Sequence, residues 1–181
     1  MKKFWFIPMI LVLILIGCTQ KQNGTLDTSE LEKEEVRGNA TEEQLKSIPI
    51  QYHAPTLKAG LEALPFELKV PEDLPFDAEP LKMTIEDFKH DGKELVVNLE
   101  SVSKKRDDSI ILIITAHNFK VEFGEGPGEE VKLADGTAAD YIRGSLVFEK
   151  DGIIYSVGYS NPNISAEQQK EETIDIANQL L

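Results

Sequence analysis

Three Asp-Gly pairs, Asp91-Gly92, Asp135-Gly136 and Asp151-Gly152, each stand between runs of alternating apolar and polar residues. Such a pair accepts the positive φ angles of a tight hairpin turn, so each sends the chain back beside the strand it has just left. Strands joined in this way run antiparallel. No Gly-x-Gly-x-x-Gly and no long helical crossover appears that would build a doubly wound parallel sheet. The turns therefore point to an antiparallel meander.

The strands are read from side-chain alternation. Phe66-Glu67-Leu68-Lys69-Val70 predicts a half-buried strand before a proline-punctuated loop from Pro71 to Pro75. Leu81, Met83 and Ile85 give a second strand, and Leu95, Val97 and Leu99 its return across a two-residue Asp91-Gly92 turn. Ile110-Ile111-Leu112-Ile113-Ile114 is apolar on both faces, which predicts a central strand covered on both sides. Phe119, Val121 and Phe123 resume alternation past a bulge at His117-Asn118. Val131 with Leu133, Tyr141 with Ile142, Leu146 with Phe148, and Ile153 through Tyr159 supply the later strands.

Two helices frame them. Thr56 caps a short one carrying Leu57, Leu61 and Leu64 on one face, and Pro65 stops it. Ser165-Ala166-Glu167-Gln168 is a capping box opening a longer one, with Ile174, Ala177 and Leu181 at helical spacing and Ile176 and Leu180 widening the stripe. The predicted class is α+β. An antiparallel meander sheet of six to eight strands is covered by a short N-terminal and a longer C-terminal helix. Residues 48–181 suit a single domain large enough to bury a core.

The first residues carry a different signal. Met1-Lys2-Lys3 is basic, and an uncharged, mostly apolar run extends from Phe4 to Ile16. That is the length of a signal-peptide core, about 7–15 residues. It falls short of the roughly 20 that span a bilayer. Leu15-Ile16-Gly17-Cys18 closes the run with a small residue before the only cysteine. This motif resembles the lipobox of bacterial lipoproteins. The resemblance implies that residues 1–17 are a signal peptide, cleaved between Gly17 and Cys18. It also implies that Cys18 takes a thioether-linked diacylglycerol, often with acylation (palmitate and its kin) of the freed amine. At about 0.8 kcal/mol per buried methylene, two or three acyl chains hold a soluble domain at a membrane durably. With Cys18 consumed, the rest of the chain has no disulfide and must be held by packing.

Residues 18–47 are predicted to be this lipidated cysteine and a disordered acidic tether. Leu26, Leu31 and Val36 are the sizeable apolar residues between Thr19 and Ala40. Ser29-Glu30-Leu31-Glu32 resembles a capping box with nothing to hold a helix. Thr41-Glu42-Glu43-Gln44 is a second, starting a short helix that ends before Pro49. A free tether of some two dozen residues reaches about 25–30 Å.

The chain has 19 basic and 32 acidic residues, a formal charge of −13. That disfavours nucleic acid, whose binding rests on basic residues meeting phosphates. It also sets the domain against anionic headgroups, leaving the lipid as its attachment.

A search for chemistry finds no catalytic set. His53, His90 and His117 lie far apart and lack metal-ligand spacing. His117, ending the most apolar strand, is the one nearest to a functional setting. Gly124 to Gly128 lacks the lysine and hydroxyl of a phosphate loop, and Glu125, Glu129 and Glu130 there offer only a weak cation site. Lys104-Lys105-Arg106 is a charged turn neutralised by Asp107 and Asp108. Tyr155 and Tyr159 alternate with Ser156, Gly158 and Ser160, as core packing or as the lining of a groove. The chain reads as no enzyme, with no metal and no cofactor; a hydrolase built on a carboxylate pair would need two acids brought into one cleft.

From Leu64 to Leu181 three signatures carry a further resemblance. They are Pro65-Phe66 through Val70-Pro71 to Leu74-Pro75, then Leu146-Val147-Phe148-Glu149-Lys150-Asp151-Gly152-Ile153-Ile154-Tyr155, then the closing Asp175-Ile176-Ala177-Asn178-Gln179-Leu180. This looks like domain-of-unknown-function family 4367, found in extracytoplasmic parts of Gram-positive lipoproteins and membrane-bound regulators. The resemblance implies an antiparallel sheet with helical cover and no established enzymatic activity. The chain departs from the family in having no tryptophan near Phe148. The function expected is that of a lipid-anchored module on the outer face of a bacterial cell membrane, binding a protein or envelope component. The alternative is a carrier of lipid or another apolar ligand, similar to LolA-like proteins. That needs an open cavity between strand 110–114 and the C-terminal helix.

Overall fold

A computed structural model describes residues 24–35, 41–121 and 128–181. Among them nine strands form one sheet: β1 (Glu32–Lys33), β2 (Ile50–His53), β3 (Lys82–Asp87), β4 (Leu95–Val102), β5 (Ile111–His117), β6 (Glu129–Lys132), β7 (Ala138–Ile142), β8 (Ser145–Lys150) and β9 (Ile153–Ser160). Three α-helices accompany them: α1 (Glu42–Ser47), α2 (Leu57–Ala63) and α3 (Ala166–Asn178). The strand order is β1-β2-β3-β4-β5-β9-β8-β7-β6, with every neighbouring pair antiparallel. The fold is thus α+β, built from two meanders. The chain runs β1 to β5 in sequence, crosses to the far edge, and returns from β6 to β9. Leu112 opposite Tyr159 and Ile114 opposite Val157 join the halves.

The Asp-Gly pairs do three different things. Asp151 (φ 50°) and Gly152 (φ 78°) link Lys150 to its partner Ile153 as a two-residue turn. At Asp135-Gly136 the loop is longer, with Leu133 N–H donating to Thr137 O at 2.9 Å. Asp91-Gly92 is not the two-residue hairpin expected, because the ladder stops at Asp87 opposite Leu95. Side chains hold residues 88–94 open: Asp87 Oδ2 accepts from Gly92 N–H at 2.8 Å, and Asn118 Oδ1 accepts from Leu95 N–H at 2.8 Å. Asn118 Nδ2 also donates to Lys93 O at 2.7 Å, so this residue ends β5. The alternation expected at Phe119 and Val121 therefore makes no strand, and Phe123 lies outside the described residues. A second two-residue turn, Arg143-Gly144, carried no sequence expectation; both residues have positive φ.

The core lies on one face of the sheet. Register aligns Met83, Leu99, Ile114, Val157 and Leu146 in a row across five strands, each at most 2 % exposed. Onto this row pack α2, whose Gly60 backs against Met83, and α3, through Thr173, Ile176 and Ala177, with Leu180 just beyond its end. Thr56 and Ser165 cap these helices, although the box expected at Ser165 is half made, since the Gln168 side chain donates to Glu172 instead. The α3 stripe is turned by one residue from that expected, leaving Ile174 and Leu181 half-buried.

Two stretches depart from expectation. Residues 66–70 alternate in burial, with Leu68 buried, yet pair with no strand. They run beside the end of α3, where Lys69 Nζ meets Leu181 O and Gln179 bonds the backbone of Glu72 and Asp73. Alternation reports one-sided burial, which a helix end satisfies as well as a sheet. Residues 24–35, expected in a disordered tether, form a strap on the fold. Leu26 is buried, Leu31 packs on the core, and β1 pairs with β2. The helix signature at Ser29 is instead an Asx turn, with Asp27 Oδ1 accepting from Ser29 N–H at 3.0 Å. Thr41 does cap α1, with its reciprocal Gln44 bond.

Candidate binding site on the open sheet face

The face opposite the helices carries the larger departure. Strand β5, expected to be covered on both sides, is covered on one. Leu112 and Ile114 are fully buried, whereas Ile111 and Ile113 are 44 % and 42 % exposed. Val102, at 46 %, stands directly opposite Ile111 on β4. On the other side of β5, Ser160 and Gly158 oppose Ile111 and Ile113, and Gly158 in turn opposes Ser145 on β8. The residues on that side, Ser160, Gly158 and Ser145, have small side chains. Glu100, paired with Ile113 and with Lys82, gives the patch a charged border. An apolar group with a polar rim is the usual make-up of a protein contact.

The patch sits at one end of the sheet. At the other end lies the loop of residues 88–94, about 20 Å away along β5 at 3.4 Å per residue. Here the strap joins the fold: Leu26 N–H donates to Gly92 O at 2.8 Å, and Asp27 N–H to Ala63 O at 2.9 Å. Gly92 is required at this contact. Its φ is 71°, and a Cβ would lie 2.9 Å from Leu26 N. His90 Nε2–H donates to Ile48 O at 2.8 Å, tying the loop to the segment after α1. Phe88 and Phe119 pack ring to ring at 5.7 Å, and Phe119 meets His117 edge-on at 5.7 Å.

Gly17 and Cys18 lie outside the described residues, as does Glu125. The three histidines stay apart. His53 pairs with Glu34 at 3.2 Å, and His90 holds Ile48 as above. Burial holds the His117 ring below the usual imidazole range, partly offset by its backbone bond to Ile154. Glu129 is taken by Lys170 Nζ at 2.6 Å. No group of three or more His, Cys, Asp or Glu gathers among the described residues. Lys104 pairs with Asp77 at 2.7 Å in the charged turn. Tyr155 and Tyr159 belong to the core: Tyr155 stacks on Phe148 at 5.1 Å, and Asn161 Nδ2 donates to Tyr159 OH at 3.0 Å.

The space a carrier would use is filled. Leu112, Ile114 and Val157 of the sheet and Ile176, Ala177 and Leu180 at the C-terminal end form part of one cluster, none more than 1 % exposed. The sequence missed the open patch because its signal, an apolar run, is identical for a covered and an uncovered strand. Among the described residues no helix is long and apolar enough to cross a membrane. Comparison with family models, with curated proteins and with solved structures gave no match to this chain.

Proposed function

We propose that this is a membrane-anchored extracytoplasmic lipoprotein acting as a non-catalytic binding module. Cys18 carries the lipid, and the Val102–Ile111–Ile113 face takes a protein or another component of the cell envelope. The observation that carries the binding role is the exposure of Ile111 and Ile113 on an otherwise buried strand. Leaving three aliphatic side chains 42–46 % exposed forgoes roughly half of the 1.5–3 kcal/mol that full burial of each would give. The lipobox-like Leu15-Ile16-Gly17-Cys18 supports the anchor. The antiparallel sheet with helical cover agrees with the family 4367 resemblance. The packed core speaks against the LolA-like alternative.

Two measurements test the reading. Cys18→Ala is expected to abolish palmitate labelling and the processed, membrane-bound form; retention of both refutes the anchor. Ile111→Lys with Ile113→Lys, the latter opposite Glu100, is expected to remove the partners captured by crosslinking on intact cells. As surface changes these should alter stability by only about 0.5 kcal/mol. Unchanged capture by a folded double variant refutes the binding face.

A further inference from the structure

We infer that the strap end of the sheet rests on the phospholipid headgroup layer, so that the Ile111 patch faces away from the membrane. This builds on the lipoprotein reading and adds an orientation to it. The argument starts from chain length. Were residues 18–47 a free tether, the domain would sample every orientation. The strap shortens that tether, because Thr25 and Leu26 are already packed against Gly92. Five residues separate Cys18 from Gly24. At about 3.3–3.6 Å per residue, Gly24 stays within roughly 20–22 Å of the lipidated cysteine even at full stretch. Every less extended path brings the loop of residues 88–94 closer to the bilayer.

The surface at that end has the matching chemistry. Of the large apolar side chains exposed among the described residues, half cluster far from it as Val102, Ile111 and Ile113. The others are Leu45 at 40 %, Ile48 at 42 % and Phe88 at 44 %. His90 joins Ile48 to the loop that holds Phe88, and Ile50 pairs with Asp87, so these three share the strap end. Exposed lysines lie among them: Lys46 in the last turn of α1, and Lys89 and Lys93 in the loop. Acids lie there too: Glu94 is bound by Lys89, Asp87 is buried on Gly92 N–H, and Asp91, Glu34, Glu35 and Glu42 are exposed. Thus a chain of charge −13 presents aromatic and aliphatic side chains, among mixed charges, where its lipid enters. The apolar side chains suit the bilayer interface, where aromatic rings sit at headgroup level.

The test exploits the lone tryptophan, Trp5, which leaves with the signal peptide. Three full-length variants, Phe88→Trp, Ile48→Trp and Ile111→Trp, each yield a processed protein with a single reporter. The acylated proteins are placed in vesicles of phosphatidylcholine and phosphatidylglycerol containing headgroup spin-labelled lipid. Palmitate label is read on the same samples. Expected are several-fold stronger quenching and a blue-shifted emission at positions 88 and 48 relative to 111. Label with equal quenching at all three positions overturns the orientation and leaves the anchor standing. Loss of label overturns both.

Discussion

The rings of Phe76 and Tyr159 stack with centroids 5.9 Å apart and planes 17° from parallel. Phe76 directly follows the proline-punctuated loop, and it shields a tyrosine at the β5–β9 junction. Burial, with the Glu172 carboxylate nearby, pushes the Tyr159 phenol up to about 12 against the lowering bond from Asn161. Burial does the same for Tyr155, also to about 12. Both shifts favour the neutral phenol in the folded state. Their stabilisation is complete below the unfolded value of about 10 and is lost as pH rises through about 12. Tyrosinate absorbance followed with circular dichroism should show these two groups ionising only as structure is lost. Phe76→Ala should bring Tyr159 down toward its ordinary value and leave Tyr155 in place.

Gly60 brings α2 close against the sheet. A Cβ there would fall 2.4 Å from Met83 Sδ and 2.8 Å from Ala54 Cβ. Alanine gains about 1 kcal/mol in helix propensity over glycine. Overpacking costs typically 1–3 kcal/mol, and here it acts against two neighbours at once. Gly60→Ala is therefore expected to lower the urea midpoint with an unchanged slope. A raised midpoint would show that α2 lifts from the sheet freely.

Gln179 holds the unpaired segment beyond residue 70. Its Oε1 accepts from Glu72 N–H at 3.0 Å and Asp73 N–H at 2.9 Å, and its Nε2 donates to Asp73 O at 2.8 Å. Gln179→Ala removes all three bonds at an exposed site, for a loss of about 1–2 kcal/mol. Hydrogen exchange should speed up at the Glu72 and Asp73 amides first. Unchanged exchange there would mean that packing of Leu68 alone holds the segment.

Asp135 tests the pair that joins the β6–β7 turn to the end of β8. The Lys150 ammonium at 2.8 Å, followed by Thr137, holds its carboxyl well below the usual carboxylate range. A depressed folded value means stability that is present above the unfolded carboxyl pKa of about 4 and lost as pH falls through the folded one. Lys150→Met should raise the Asp135 titration read by NMR, stopping short of the ordinary value because Thr137 still donates.

What the sequence revealed depended on how local each cause was. Thr41, Thr56 and Ser165 cap helices through bonds spanning three residues, and all three were legible. Asp151-Gly152 makes its turn from its own φ preferences. The neighbouring turn at Arg143-Gly144 was overlooked because arginine gives no turn signal. Asp91-Gly92 misled because Asn118, remote in sequence, holds the loop open at Leu95 and Lys93. Leu26 looked like a stray apolar residue in a polar tract, and its burial depends on Gly92 far along the chain. The open face was hidden by composition: alternate members of the isoleucine run serve the core and the surface, and hydropathy does not separate those duties.

The way β5 finds its second neighbour has a consequence during synthesis. A chain made from its N-terminus completes Ile111–His117 long before Ile153–Ser160 exists. At about 5–20 residues per second the isoleucine-rich strand then waits seconds with one side unzipped. An unfinished edge of this kind is a template for pairing with other chains. Truncation after Gly152 is thus expected to give sedimenting aggregates in place of a soluble fragment. The last strand to be made is the one that renders the first half safe.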